Sequence, residues 1–296
     1  MNKHLTIGSV MLLLLLILTF IGPLLPAVDS GISQEGARFT DAGIEVPPFP
    51  PSAEDPLGSD REGRDVLSLI VAGAKETFMV ILTIVIIRFL VSAVLGIGSF
   101  YSQTIRGFLS IWSQLFSFMP PIFFVVFFSG LPFVIFSEHR QIWLIVIIAA
   151  VEVGRTGDMI KTSMDYSAKK PFFEAGIVAG CSQWTLFKSY FWPQLRLTIV
   201  TNFISDLGRT LFLLAQFAVI GIYLQNAFWS IRGGGVETVN NSFIWPSLFI
   251  NIHHDVFSAE WVVLSTVTVI TFTMITFYLL SSGIRHYYQK KYHQSG

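Results

Sequence analysis

The feature that most limits the folds open to this chain is a series of apolar segments, each about as long as a membrane is thick. A helix needs roughly 20 apolar residues to cross the hydrocarbon core of a bilayer, which is about 30 Å thick. Six segments approach this length, and we predict one membrane span in each of them: Leu5–Leu25, Phe78–Tyr101, Phe108–Gly130, Ile142–Ile160, Ile199–Leu224 and Trp261–Ile284.

The composition agrees with a membrane location. Hydrophobic side chains make up 52% of the 296 residues and charged ones only 13%, whereas soluble domains are nearer to a quarter charged. A chain this apolar would not stay solvated as a disordered protein, and the single cysteine, Cys181, excludes a disulfide scaffold. The formal net charge of zero gives no electrostatic reason to expect nucleic-acid binding. We therefore predict an all-α integral membrane protein.

The first apolar run shares some features with a secretory signal peptide, because Lys3 and His4 precede it and small residues follow it. The run is long for the apolar part of a signal peptide, and the sequence after Ala27 makes a poor cleavage site. We therefore predict that residues 1–27 form a retained transmembrane helix.

Basic residues are expected to mark the cytoplasmic side of the spans. The stretch from Asp29 to Glu76 holds ten acidic and four basic residues, whereas residues 161–196 hold five basic and two acidic ones. The basic segments share one side of the membrane if both termini are cytoplasmic. We predict an external loop at 28–77, a core of five transmembrane helices at 78–284 with a cytoplasmic loop at 161–196, and a cytoplasmic tail at 285–296.

The cytoplasmic loop at 161–196 is too long for a simple connection between two spans. Pro171 suits the first turn of a helix. Glu174 in the same turn favours the positive end of the helix dipole. The spacing therefore predicts a short helix on the cytoplasmic surface.

This helix is predicted to be amphipathic. Phe173, Ile177 and Gly180 share one face at i, i+4 and i+7. Gly180 can end the helix by adopting a positive φ. A second short helix is predicted to follow and to run up to Pro193.

The loop resembles the EAA loop of ABC-importer permeases, whose pattern is Glu-Ala-Ala, three residues, Gly, nine residues, an apolar residue, one residue and Leu-Pro. Gly176 stands for the second alanine, Tyr190 for the aliphatic residue and Trp192 for the leucine. The resemblance implies that the loop docks on an ATPase subunit, through Phe172, Phe173, Glu174, Ala175, Gly176, Gly180 and Pro193. Phe172 and Phe173 are expected to supply the buried anchor, with packing against this chain's own helices as the alternative.

The segment Asp55–Ser68 resembles the external segment before the second span in peptide-importer permeases of the oligopeptide/dipeptide class. Those read His-Pro-Leu-Gly-Thr-Asp, two residues and Gly-Arg-Asp-Val-Leu-Ser, and here Asp55 stands for the histidine and Ser59 for the threonine. The matching positions include Gly58, Asp60, Gly63, Arg64 and Asp65. The resemblance covers essentially the whole chain and fits the shorter of two permease paralogues, with its large external loop after the first helix.

The resemblance implies six transmembrane helices in the type I ABC-importer permease fold, with a cytoplasmic coupling helix, in a bacterial cytoplasmic membrane. The implied partners are a second paralogous permease, two ATPase subunits, an extracytoplasmic substrate-binding protein and membrane lipid. ATP and Mg would bind at the ATPase subunits, and we expect no cofactor on this chain. It lacks the Gly-x-x-x-x-Gly-Lys-Ser/Thr phosphate loop, so we expect no ATPase site in it.

Peptides are the substrates that the resemblance favours. The same permease role for nickel, metal chelates, opines or sugars stays open, because such permeases are alike and their binding proteins choose the ligand. A self-sufficient secondary transporter is the alternative from another class. It would predict inverted repeats, and the sequence shows no such repeat.

Charged residues and a proline pair interrupt the predicted spans. Charges inside a membrane are costly and usually face protein or water; here they are Arg88, Glu152, Arg155, Asp206 and Arg209. Asp206 and Arg209 can pair on one helix face, and Arg88 can pair with one of the acids of this chain or with the partner permease. Pro120 and Pro121 break the hydrogen-bond ladder of the third span. Each of these features can be structural or can line a pathway.

A charged external cluster contains Asp60, Arg61, Glu62, Arg64 and Asp65. It can form a docking surface for the binding protein, or internal salt bridges that fix the segment before the second span. We favour the second interpretation, because the glycines within the cluster are typical of turns. A metal site at His253-His254-Asp255 is not predicted, since adjacent side chains point apart and no third ligand has suitable spacing.

Overall fold

The computed structural model describes residues 3–29, 31–40, 43–53, 55–224, 226–231, 235–240 and 242–293. The chain divides into two compact units: unit 1 is Met1–Ile7, Leu82–Leu207 and Phe277–Gly296, and unit 2 is Gly8–Ile81 and Gly208–Thr276. The described residues are predominantly helical. The helices are α1 (Lys3–Phe20), α2 (Val66–Tyr101), α3 (Gln103–Ser117), α4 (Pro121–Ser129), α5 (Pro132–Ile135), α6 (Arg140–Val151), α7 (Val153–Ala168), α8 (Pro171–Val178), α9 (Gln183–Leu186), α10 (Trp192–Val219), α11 (Ile252–Ser258) and α12 (Glu260–His293).

Two short antiparallel strand pairs accompany the helices. In the first, β1 (Arg38–Thr40) pairs with β2 (Gly43–Glu45), and Arg38 lies opposite Glu45. In the second, β3 (Asn226–Ile231) pairs with β4 (Gly235–Asn240), and Asn226 lies opposite Asn240. Both pairs lie outside the long apolar helices.

Four helical segments are long and apolar enough to cross a membrane: α1, α2, α12 and the continuous run Gln183–Val219, which contains α9 and α10. The helices α3 and α4 meet the same criterion together, but they are bent by 92° at the break between them. By length and composition, the described residues therefore hold four candidate spans, or five if the bent pair is one span.

The fourth predicted span, Ile142–Ile160, is not one helix, so the six predicted spans are not all recovered. It divides into α6, of 12 residues, and α7, of 16 residues. The division falls at Glu152, whose backbone N–H donates to Ala150 O. Gly154 and Gly157 lie within α7 and not at the break, so the weak helix propensity of glycine does not by itself account for the interruption.

The two prolines account for the break in the third span. Pro121 is the first residue of α4, a position where its missing N–H has no intrahelical partner to lose. Pro120 before it has an extended backbone, with a ψ of 139°. The predicted interruption at this pair is confirmed, and a contact of the prolines with a pathway stays a prediction.

In unit 2, the first turns of α2 are held by the segment that contains Trp245. This side chain is fully buried, and its indole N–H donates to Ile70 O at 2.8 Å. The Trp245 backbone N–H donates to Thr77 Oγ1 at 3.0 Å. Gly73 permits the close approach, because an added Cβ would lie 1.9 Å from the carbonyl oxygen of Phe243.

The helix α2 begins at Val66, well before the span predicted from Phe78, because Asp65 caps it. Asp65 Oδ1 accepts the N–H of Leu67 at 3.2 Å, and Oδ2 accepts the N–H and hydroxyl of Ser68 at 2.8 and 2.6 Å. A carboxylate at this position satisfies N–H groups that have no partner within the helix.

The charged external cluster folds around Asp60. Its Oδ1 accepts the N–H groups of Glu62 and Arg64 at 3.0 and 2.9 Å, and its Oδ2 pairs with the Arg64 guanidinium at 2.6 Å. Gly58 and Gly63 have φ values of +71° and +72°, which non-glycine residues rarely adopt. The contacts support the structural interpretation of this cluster.

Arg61 joins the same cluster to α11. Its Nε donates to Asp255 Oδ1 at 2.6 Å, and its Nη2 donates to Ser258 Oγ at 2.7 Å. Burial raises the pKa of the Asp255 carboxyl, and the Arg61 charge acts in the opposite direction. Burial also raises the pKa of Glu62, and the neighbouring charge of Asp60 adds to that effect. Every charged side chain between Asp60 and Asp65 therefore has an internal partner.

Replacing Asp65 by alanine should lower the unfolding temperature of the purified protein in detergent, because a lost N-cap costs about 1 kcal/mol. Asp65→Asn keeps an oxygen acceptor and should lower the unfolding temperature clearly less. Thermal unfolding followed by circular dichroism measures both. Equal losses for the two variants would show that the negative charge, and not the cap, matters.

Candidate functional site

The loop at 161–196 contains the predicted short helix, α8, with a well-defined end. Pro171 is its first residue. At the other end Gly180 has a φ of +75°, its N–H donates to Ile177 O at 2.9 Å, and the N–H of Cys181 donates to Gly176 O at 3.1 Å. These two bonds form a Schellman motif, which needs a positive φ at the glycine. The predicted helix end at Gly180 is confirmed.

Phe173 lies inside the chain and not on the surface of the loop. It is 6% exposed and packs in a cluster of unit 1 with Ile160, Met164, Leu186, Phe191 and Leu195. Its ring centre lies 4.8 Å from that of Phe191 and 6.5 Å from that of Phe100. Phe173 therefore takes the alternative given for it, packing against the chain's own helices, and does not anchor the loop on an ATPase subunit.

The predicted apolar face of α8 is corrected as well. Phe173 and Gly176 face the core, whereas Ile177, which was assigned to the same face, is exposed. The cause lies in the composition of the helix. Its residues are apolar or small except for Glu174, so their periodicity does not define one buried face.

The opposite side of the loop is apolar and exposed, and we call it the exposed loop face. Its members are Phe172, Glu174, Ala175, Ile177, Val178 and Trp184. Val178 is 88% exposed. Within the described part of the chain, the Glu174 carboxylate has no ion-pair partner.

Tyr190 packs against Phe172, one member of the exposed loop face. Its ring stacks on that of Phe172, with the ring centres 5.9 Å apart and 15° between the planes. It also meets Phe173 edge-on at 6.2 Å. Gly176 makes room for it, because an added Cβ would lie 3.0 Å from Tyr190 Cζ and 3.1 Å from Leu186 Cδ2.

The chain stays helical through Pro193, which corrects the prediction that a short helix ends there. Residues 187–191 form a π-helical turn, and the N–H of Trp192 reaches back five residues to Phe187 O. A proline ring normally clashes with the carbonyl four residues before it. The wider π turn directly before Pro193 relieves this clash and lets α10 continue.

A buried charge network joins three helices of unit 1. Asp206 of α10 accepts Arg88 Nη1 of α2 on Oδ2 at 2.6 Å, and Arg155 Nη2 of α7 on Oδ1 at 2.7 Å. Arg155 also pairs with Glu152 at 2.6 Å. Spacing allows Asp206 to pair with Arg209, but the guanidinium groups that reach its two oxygens come from neighbouring helices. The sequence leaves open whether Arg88 pairs within this chain or with a partner permease, and the structure shows a pair within the chain.

The network lies at the break between α6 and α7. Side chains of neighbouring helices donate to carbonyl groups around the break: Arg88 Nη2 to Ile148 O at 3.0 Å, Trp112 Nε1 to Ala150 O at 3.1 Å and Ser92 Oγ to Val153 O at 3.0 Å. Backbone groups inside a bilayer have no water to bind and are costly when unpaired. The three donors therefore give carbonyl groups around the break hydrogen-bond partners from neighbouring helices.

Comparison with known families gives a match to binding-protein-dependent transport system inner membrane components over residues 88–294. The chain belongs to this family. It is thus a permease component of a binding-protein-dependent ABC transport system, and membership implies a substrate-binding protein and an ATPase as partners. No curated protein matches the chain.

The region of this permease that matches the family contains α8 and all four members of the charge network. The segment Asp55–Ser68, whose resemblance to the peptide class is described above, lies before the matched region. Family membership therefore establishes the permease role without selecting the substrate.

Sequence reasoning missed Ser92 and Trp112, which support the break in the permease. A signal for Ser92 was available, because it lies four residues after Arg88 in an otherwise apolar helix, so both polar side chains share a face. No comparable signal exists for Trp112, since tryptophan is common in membrane helices for other reasons.

Arg88→Met should strongly reduce the yield of folded permease, because it leaves the buried Asp206 with one cation in place of two. Removing one partner of a buried pair typically costs about 3–5 kcal/mol. The double variant Arg88→Met/Asp206→Leu should recover much of the loss. The single and the double variant both lose the hydrogen bond from Arg88 to Ile148 O, so the difference between them reports the charge effect alone. Size-exclusion yield and unfolding temperature in detergent measure that difference. A double variant no better than the single one would contradict it.

Proposed function

We propose that this chain is a permease subunit of an ATP-driven ABC importer for oligo- or dipeptides, and that it forms the translocation pathway with a second, paralogous permease. Family membership supports the permease role, and the resemblance of Asp55–Ser68 to peptide-importer permeases supports the substrate class. One observation carries the coupling role: α8 is anchored in the core of unit 1 by one face and presents an apolar face to the surface.

The exposed loop face is the proposed contact with an ATPase subunit. Large apolar side chains exposed together on a surface are typical of interaction sites. Val178 and Trp184 are two such side chains, and both are largely exposed. Glu174, which has no cation beside it in the described chain, would pair with a basic residue of the ATPase. Phe172 adds a ring held in place by Tyr190.

Phe173 gives the loop its mechanical link to the membrane helices. Its contacts with Phe100 at the end of α2 and Phe191 before α10 tie α8 to two membrane-crossing elements. Closely packed side chains transmit displacement, because little free volume can absorb it. A movement of the ATPase against the exposed loop face would therefore shift these helices as a body.

The proposed topology has six crossings with both termini in the cytoplasm. The pair α6 and α7, residues 140–168, would make the fourth crossing in two pieces. Irregular backbone at membrane depth is tolerated where protein covers it. The donors from Arg88, Ser92 and Trp112 supply that cover.

Glu174→Arg and Val178→Asp should each remove the ATPase from the complex while the second permease stays bound, because both changes lie on the exposed loop face. The measurement is co-purification on a C-terminal tag after co-expression with the chromosomal neighbours of this chain. Glu45→Arg is the matched control, since Glu45 is an exposed glutamate on β2. If the wild-type chain purifies folded and alone, a self-sufficient transporter replaces the importer proposal.

The complex reconstituted in liposomes should hydrolyse ATP faster when its binding protein carries a peptide, and should then accumulate that peptide. Binding protein offered nickel, a metal chelate or an opine should give no such stimulation. Parallel ATPase and uptake assays with each ligand measure both effects. Stimulation by one of these other solutes alone would contradict the peptide assignment and leave the permease role intact.

A further inference from the structure

The charge network of unit 1 has one open side. The Arg155 side chain is 41% exposed, whereas its partners Glu152 and Asp206 are 12% and 3% exposed. The second cation, Arg88, is fully buried. The most exposed member of the network is therefore a cation, and its two acids are more buried than it is.

Arg155 also has hydrogen-bond donors to spare. Its Nε donates to Glu152 Oε2 at 2.6 Å, and its Nη2 donates to Asp206 Oδ1 at 2.7 Å. Nη1 makes no hydrogen bond to any described residue. A guanidinium carries five N–H groups, so the two on Nη1 remain available on the exposed member of the network.

The position of this open side favours water over lipid. Asp206 lies near the middle of α10, roughly 20 Å from either end at about 1.5 Å per residue, and Arg155 is bonded to it. An arginine facing hydrocarbon at this depth is costly. Broken helices at membrane depth occur where protein buries them or where they line a water-filled cavity, and Arg155 follows the break at Glu152 by three residues.

We infer that Arg155 lines the translocation pathway and binds the C-terminal carboxylate of the passing peptide through Nη1. A guanidinium N–H suits a carboxylate oxygen, because a hydrogen bond between two charged groups is about twice as strong as one between neutral groups, and Nη1 can donate one such bond. Glu152 and Asp206 hold the guanidinium in place before the substrate arrives, and Arg88 keeps Asp206 paired. A single exposed contact is weak enough to release the substrate again, as a transport pathway requires. The inference rests on the proposed function as a peptide importer.

The test uses the whole complex in liposomes, with saturating binding protein loaded with one of two peptides that differ only in a free or amidated C-terminus. The variant is Arg155→Gln/Glu152→Gln, which removes both members of one ion pair and leaves the network neutral. The wild type should move the free acid faster than the amide, and the variant should lower the acid-to-amide ratio about tenfold, the size of one charge-assisted hydrogen bond. Arg155→Lys keeps the charge and should restore part of the ratio.

Arg106→Gln is the matched control, because Arg106 is 42% exposed and pairs with Asp165 at 2.7 Å, outside the network. It should leave the ratio unchanged. The binding protein is the same throughout, so its own preference cancels between variants. An unchanged ratio in the Arg155 variant overturns the inference while the peptide-importer proposal stands. Failure of the wild type to move either peptide overturns the proposed function itself.

A second measurement tests the pathway position without any substrate assumption. In a Cys181→Ser background, Arg155→Cys/Glu152→Gln should react with a membrane-impermeant, water-soluble thiol reagent, and ATP with loaded binding protein should change the rate. Absence of labelling in a complex that still hydrolyses ATP would place Arg155 against lipid or the second permease. That result overturns the inference on its own.

Discussion

The arrangement of the membrane helices in unit 1 depends on one carboxylate. Asp206 receives a guanidinium on each oxygen, from Arg88 of α2 and from Arg155 of α7. Buried ions lose their hydration, and only complete pairing offsets that loss. Arg88 also donates to the carbonyl of Ile148 beside the break in the fourth span. The group that neutralises Asp206 therefore also stabilises the backbone where α6 ends.

This arrangement makes α7 a separate rigid element. Its first turn is fixed by the charge network, and its later turns, at Ile160 and Met164, belong to the cluster that holds Phe173. Because the helix is interrupted at Glu152, a displacement of α8 can reach α7 without bending α6. The charge network and the aromatic cluster thus lie at the two ends of one 16-residue helix.

The elements that could be predicted from the sequence are those that local chemistry decides. The spans around α1, α2 and α12, the interruption at Pro120–Pro121 and the helix end at Gly180 follow from apolar length, proline geometry and glycine conformation. These need no knowledge of neighbouring helices.

The misassigned features depend on tertiary partners. Phe173 faces the core because it packs against Phe100 and Phe191. The sequence pattern of α8 does not indicate which face of the helix is buried. The partner of Arg88 stayed open for the same reason, because Asp206 lies 118 positions away in sequence and spacing rules compare only near neighbours. A helix broken at Glu152 persists because other helices supply donors to its backbone, and these donors are invisible in a local window.

The departures from the EAA pattern are linked to one another in space. An alanine at position 176 would place a methyl group 3.0 Å from the Tyr190 ring, so a tyrosine at 190 fits best beside a glycine at 176. The side-chain volume missing at Gly176 is filled by Tyr190. Two substitutions that conserve the total volume preserve a core better than either change alone. Tyr190 uses the space to stack on Phe172, which lies on the exposed loop face. The two substitutions therefore compensate each other and keep Phe172 stacked on the exposed loop face.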